Sequence, residues 1–147
     1  MHRRKFLHNS VLILTALALW PKLVLAKIWN KPAFETTKLS EALNALGVEQ
    51  AKISQDILIN APERAENGAV VQIEITSNLA NTESITILVE RNPTPLIAEF
   101  KLSSDLEAYV VTRIKMAETS DLTVVVKAGG HFFTQTKNIV VLENGCG

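Results

Sequence analysis

The chain predicts an antiparallel β-sandwich with one short helix near the start of its mature part. Three observations lead there. Apolar residues make up 47% of the 147 residues, enough for a packed core, while aromatics are only 5% and β-branched residues are plentiful. Seven short segments run apolar or alternate apolar with polar residues, and the period of two gives a strand one core-facing side. Turn-forming Gly, Pro and Asn separate these segments, with no βαβ rhythm, internal repeat or low-complexity stretch.

Taken in order, residues 1–26 read as an address. Arg3, Arg4 and Lys5 precede an apolar run from Val11 to Trp20, too short to span a bilayer as a helix but suited to a signal-peptide core. Val24 and Ala26 occupy the −3 and −1 positions of a cleavage site expected after Ala26. Arg3-Arg4-Lys5-Phe6-Leu7 resembles a twin-arginine signal, which implies export of the folded protein to a bacterial periplasm. An ordinary secretory signal with a basic start predicts export as well. No stable membrane anchor is expected.

Residues 27–142 form the expected domain. Leu39, Leu43 and Leu46 share one side of a helix over Lys38 to Leu46, stopped by Gly47. The first strand, Ile57 to Ile59, is closed by Pro62 and the turn-like Glu66-Asn67-Gly68. Ala69 to Thr76 turns Val71, Ile73 and Ile75 inward, and Ser84 to Arg91 does so with Ile85, Ile87 and Val89. Pro93 and Pro95 break the chain before Leu96 to Leu102. Tyr109 to Met116 and Asp121 to Ala128 follow, then the hairpin signal Gly129-Gly130 and a last strand from about His131 to Leu142.

Charge and site chemistry exclude several function classes. The first 26 residues hold four bases and no acid, so the remainder has 11 bases against 15 acids, a net charge of −4. No basic stripe remains to neutralise phosphates, which argues against a nucleic-acid partner. His131 is the one histidine left after residue 26. No His or Cys pair has zinc spacing, no Gly-rich loop opens a helix, and no cofactor is expected. Glu63, Glu66 and Glu74 read as a solvated face. Arg113 and Lys115 share a strand face with Tyr109 and Val111, as plain surface or as stems lining a partner interface.

The C-terminus differs from the rest. Alternation stops at Leu142, and Glu143-Asn144-Gly145-Cys146-Gly147 follows, holding the only cysteine. Glycine on both sides of Cys146 removes neighbouring Cβ atoms from the thiol. Residues 143–147 are expected to form a flexible arm reaching roughly 17 Å when extended, with Asn144, Gly145 and Gly147 giving it freedom. An odd cysteine in an exported chain suggests a reactive thiol or an intermolecular bridge. Glu143 and the terminal carboxylate oppose thiolate formation, and no base lies in the tail. Cys146 is therefore expected to be a slow nucleophile on its own.

From Phe34 to Gly147 the chain resembles SoxY, the sulfur-carrier subunit of the bacterial Sox thiosulfate-oxidising system. The resemblance rests on Ala65-Glu66-Asn67-Gly68-Ala69-Val70-Val71, on Glu90-Arg91-Asn92-Pro93-Thr94-Pro95-Leu96-Ile97-Ala98, on Arg113-Ile114-Lys115-Met116-Ala117-Glu118-Thr119-Ser120, and on the tail. The family tail is Gly-Gly-Cys-Gly-Gly; here Asn144 replaces the first glycine, and the last glycine of the motif is expected to be absent. Asn tolerates unusual backbone angles better than most residues. The resemblance implies an immunoglobulin-like sandwich paired with SoxZ, a second small sandwich. It implies that Cys146 is the covalent attachment point for sulfur, loaded with thiosulfate by the c-type cytochrome enzyme SoxAX. SoxB, a dimanganese hydrolase, would release sulfate, and a molybdenum–haem sulfane dehydrogenase would oxidise the sulfur that remains. The carrier would catalyse none of these steps.

Two other readings compete. A structural periplasmic sandwich could dimerise through a Cys146 disulfide. A thiol-dependent transferase would need a base beside the sulfur, and the tail offers none.

Overall fold

The computed structural model describes residues 30–48 and 50–143. Two helices, α1 (Lys31–Glu35) and α2 (Leu39–Ala45), precede nine strands among these residues. The strands are β1 (Ala51–Ile53), β2 (Ile57–Asn60), β3 (Arg64–Asn67), β4 (Val71–Ser77), β5 (Thr82–Val89), β6 (Leu96–Lys101), β7 (Tyr109–Ile114), β8 (Ser120–Ala128) and β9 (His131–Glu143). The larger sheet has the order β1-β9-β8-β5-β6, with β3 also paired to β9; the smaller has the order β2-β4-β7. This is the immunoglobulin-like sandwich that was expected. No helix among the described residues is long and apolar enough to cross a membrane.

Alternation explains how the two sheets meet. Ile73 and Ile75 from the smaller sheet face Ile85, Ile87, Leu122, Val124, Val126 and Ile139 from the larger, all fully buried in one cluster. Each such side chain contributes on the order of 1.5–3 kcal/mol by leaving water. The ion pairs Lys31–Glu35 and Lys38–Glu41 are exposed and contribute about 0–1 kcal/mol each. The apolar layer therefore holds the sandwich together.

The predicted helix is α2, and its end explains its length. Gly47 has φ +73, a conformation glycine adopts without cost. Its N–H reaches the Asn44 carbonyl at 2.9 Å, and the Val48 N–H reaches that of Leu43 at 2.9 Å. These two bonds form a Schellman motif. The structure adds α1, which the sequence pattern did not suggest because it is only five residues long. Asn30 caps α1 through the Ala33 N–H at 3.4 Å and donates to the Ala45 carbonyl at 2.8 Å, tying the helices together.

All seven predicted strands are present, and the structure departs from the prediction in two respects. First, the sequence pattern predicts neither β1 nor β3, and Glu66-Asn67, which it predicts as a turn, belongs to β3. Both are too short to show a period, and both pair parallel to β9, so the sheet is mixed. Second, the larger sheet is not buried on one face only. Leu88, Leu96 and Val125 point away from the sandwich interior and pack under Ala33, Ala42 and Val48. The helices thus form a third layer, and six consecutive β5 residues are buried.

The β8–β9 hairpin turns on Gly129 and Gly130, both at positive φ, as a two-residue turn of the primed type requires. Glu83 secures it. Its carboxylate accepts the Gly130 N–H at 2.8 Å and lies 3.0 Å from Lys127. The Gly130 bond first, and then Lys127, hold the Glu83 pKa below the ordinary 4.5. A depressed carboxylate stabilises the fold above its unfolded pKa, and that contribution is lost as pH falls through the folded value. Glu83→Gln should therefore melt below wild type at pH 7. The gap should close as the pH drops below 4.5, as read by circular-dichroism melts across an acid series.

Candidate functional site

Cys146, Asn144, Gly145 and Gly147, the residues that the sequence singled out, lie outside the described residues. The structure does describe the place from which they continue. That place is the end of β9, and three sets of bonds hold it. On one side β3 runs parallel to it, with Arg64 opposite Val140, Ala65 opposite Val141 and Asn67 opposite Glu143. The Val140 N–H donates to the Glu63 carbonyl at 2.9 Å, and the Gly68 N–H donates to the Glu143 carbonyl at 2.8 Å.

On the other side the β8–β9 ladder ends at the pair Ser120–Ile139. Thr119 extends it with its side chain. Its hydroxyl accepts the Val141 N–H at 2.9 Å and donates to the Val141 carbonyl at 3.4 Å. Glu143, expected to begin the arm, is instead the last residue of β9. The reason is β3: a partner strand and the Gly68 amide give the chain somewhere to bond beyond the last apolar residue.

Two further loops close around this end. The Met116 N–H donates to the Gly68 carbonyl at 2.7 Å, tying residues 115–119 to the β3–β4 turn. In that turn, Asn67 accepts the Ala69 N–H at 2.7 Å, the Asx geometry that favours Asn there. Asn92 joins the third loop. Its side chain donates to the Lys115 carbonyl at 2.7 Å and accepts the Ala117 N–H at 2.8 Å. The Arg91 N–H donates to the Ser120 hydroxyl at 3.0 Å, and its guanidinium pairs with Glu118 at 3.6 Å. The three internal sequence blocks, far apart along the chain, thus meet at the end of the sandwich where residue 143 leads towards Cys146.

The other candidates fall elsewhere or take ordinary roles. His131 is exposed at the hairpin. Among the described residues no group of three or more His, Cys, Asp or Glu could hold a metal ion. Glu66 is exposed on β3 and Glu63 is exposed just before it, whereas Glu74 sits on the outer face of the smaller sheet, accepting from Asn60 at 3.2 Å. The three glutamates do not converge. Tyr109, Val111 and Arg113 are exposed on one face of β7, as predicted, and Lys115 lies beyond the strand end. Packing, then the Glu74 carboxylate 3.5 Å from its hydroxyl, raises the Tyr109 pKa above 10.0. A cleft over the larger sheet is lined in part by Glu83, Glu99, Lys101 and Lys127. Its charges pair as Glu83–Lys127 and Lys101–Glu99.

Comparison with known proteins gives this geometry a context. The model of the sulfur oxidation protein SoxY matches residues 43–146. The chain belongs to the SoxY family. The structure of the sulfur carrier protein SoxY from Chlorobium limicola f thiosulfatophilum is similar, at 34% identity and a TM-score of 0.66, covering 78% of this chain and all of that one. A superoxide reductase (neelaredoxin) from Ignicoccus hospitalis matches at 14% identity and a TM-score of 0.51, over 71% of this chain and 92% of that one. At that identity the likeness extends to the fold alone. No curated protein matches the chain.

Sequence reasoning missed Thr119, Gly68 and Asn92 as members of the site. All three lie within the blocks that carry the SoxY resemblance, and that was the available signal. What the sequence could not supply was that these blocks share one end of the fold. A Thr119→Val variant keeps the shape and removes the hydroxyl. A neutral hydrogen bond contributes about 1 kcal/mol net, so amide exchange at Val141 should accelerate about fivefold, with Thr119→Ser close to wild type. Hydrogen–deuterium exchange read by NMR would check this.

Proposed function

We propose that this SoxY-family chain is a sulfur carrier in thiosulfate oxidation, exported to the periplasm by the twin-arginine route, and that it holds its cargo covalently on Cys146. The observation that carries the reading is the SoxY match, which runs to residue 146 and so includes the cysteine. The likeness to a sulfur carrier protein at 34% identity supports it. On this reading residues 1–26 are removed, residues 27–143 form the carrier domain, and Asn144, Gly145 and Gly147 give the thiol clearance.

The chemistry follows from the thiol. In loading, the Cys146 sulfur bonds to the outer sulfur of thiosulfate, losing one proton and two electrons. The electrons pass to a c-type cytochrome enzyme of the SoxAX kind. In unloading, water attacks the sulfonate sulfur and the bond between the two cargo sulfurs breaks. Sulfate leaves with the release of two protons, and a persulfide stays on Cys146. A SoxB-like hydrolase would serve this step, and a sulfane dehydrogenase would oxidise the persulfide where one is present. The carrier supplies position and no acid–base group. A SoxZ-like subunit would complete the heterodimer. The outer face of the smaller sheet, where Leu58, Tyr109 and Val111 are exposed, offers apolar surface for it.

Intact-mass analysis of the protein from thiosulfate-grown cells should show sulfane or thiosulfonate adducts that Cys146→Ala lacks. A bare thiol under every sulfur condition would refute the reading, and a disulfide dimer as the main state would favour a structural role. The isolated protein should alkylate slowly. A free thiol titrates near ~8.5, and Glu143 lies three residues from Cys146. The apparent pKa from alkylation rate against pH should therefore be no lower than that of a free thiol.

A further inference from the structure

We infer that partner enzymes dock on the end of the sandwich built from residues 63–70, 90–93 and 115–119, and that they meet it with a basic active-site mouth. The inference rests on the carrier reading and concerns where its partners bind. It begins with reach. The Glu143 carbonyl is fixed by the Gly68 amide at 2.8 Å, and Val141 is held by Thr119. Cys146 is three residues further on. However those residues are arranged, three residues span at most about 11 Å. An arm pivoting before Glu143 would sweep further. With the pivot at Glu143, an enzyme that takes the sulfur into a cleft must press its mouth against the surface around that residue.

That surface is defined by the bonds that tie the three segments together. It holds the exposed acids Glu63, Glu66, Glu90, Glu118 and, at the pivot, Glu143. Its exposed bases are Arg64, Arg91 and Lys115. The excess is two negative charges, on a domain that is itself net negative after residue 26. An acidic rim is complementary to a basic mouth, and complementary charge raises the rate of encounter more than it raises affinity. The same basic mouth suits the cargo, because thiosulfonate and departing sulfate are anions. One field then serves both docking and substrate.

The test uses the mature, full-length carrier. It is added to extract from thiosulfate-grown cells of its native host that lack their own copy, with thiosulfate and oxidised cytochrome c. The initial rate of adduct formation on Cys146 is read by intact mass at low and high salt. Glu63→Lys/Glu66→Lys reverses charge on the rim. Asp105→Lys/Glu107→Lys makes the same change in the exposed loop at the opposite end of the sandwich. The rim variant should load about tenfold more slowly at low salt, the scale of electrostatic steering, with a flatter salt dependence. The opposite-end variant should stay within about twofold of wild type, a change too small to count as steering. Melting temperature and iodoacetamide alkylation of Cys146 should match wild type in both, which separates lost docking from lost folding. Loading of the rim variant at the wild-type rate, or equal loss in both variants, would overturn the inference. Failure of the wild type itself to load would instead overturn the carrier reading on which it rests.

Discussion

The structure depends on β9 being hydrogen-bonded along both of its edges. One edge pairs with β8 from His131 to Ile139. The other is shared by β1, opposite residues 132–134, and β3, opposite residues 140–143. Between these two the chain leaves for the smaller sheet as β2. A strand of 13 residues is long for a small domain. It persists because no long stretch of its backbone is left without a partner. An edge at residues 140–143 would present unpaired amides and carbonyls. With β3 beside it the strand stays ordered through Glu143. That order brings the chain to a defined point, three residues short of its only cysteine.

The larger sheet that carries β9 is also packed from its other face by the helix layer. Val125 of β8 and Leu88 of β5 are buried on the face away from the sandwich interior, under the two helices. Removing any one of these side chains would leave a cavity costing on the order of 2–5 kcal/mol. Domains of this size have only about 5–15 kcal/mol of stability in total. The helices are short and would not persist alone. They are held by the Schellman turn at Gly47, by the Asn30 bond to the Ala45 carbonyl, and by apolar contact with the larger sheet. The helix layer and β9 therefore support each other through the central strands.

How much of this was legible depended on segment length. Strands of six or more residues, such as β4, β5 and β8, show their period in Ile73–Ile75, Ile85–Ile87 and Val124–Val126. β1 and β3 have three and four residues, and alternation over such a span cannot be told from chance. Glu66-Asn67-Gly68 looks like a turn, but only Gly68 lies in one, and Glu66 and Asn67 belong to the strand beside β9. Propensity describes local preference, and β3 is a strand because β9 lies beside it. The helix layer was half legible. Leu39, Leu43 and Leu46 marked α2, yet nothing in β5 announced that Leu88 would be covered. The site was legible as chemistry and illegible as a place. Cys146 stood out from its position and its glycine neighbours, while the convergence of Gly68, Asn92 and Thr119 is a property of topology.

That division matches the work proposed for the chain. A carrier must keep its cargo reactive towards chosen partners and unreactive towards itself. Among the described residues Glu63, Glu66 and Glu74 do not converge, and the histidine is exposed at the far hairpin. On the proposed carrier reading, chemistry is left to whatever receives the sulfur, and the fold contributes a pivot and a charged surround. The cost of fixing the pivot is reach, because every residue captured by β3 is one that Cys146 cannot use to extend. A short reach is useful to a carrier that must not deliver its cargo indiscriminately. With the pivot at Glu143, as proposed, an enzyme that cannot seat against the end of the sandwich cannot reach the sulfur. Selectivity can then come from the surface around Glu143 without any recognition of the thiol itself.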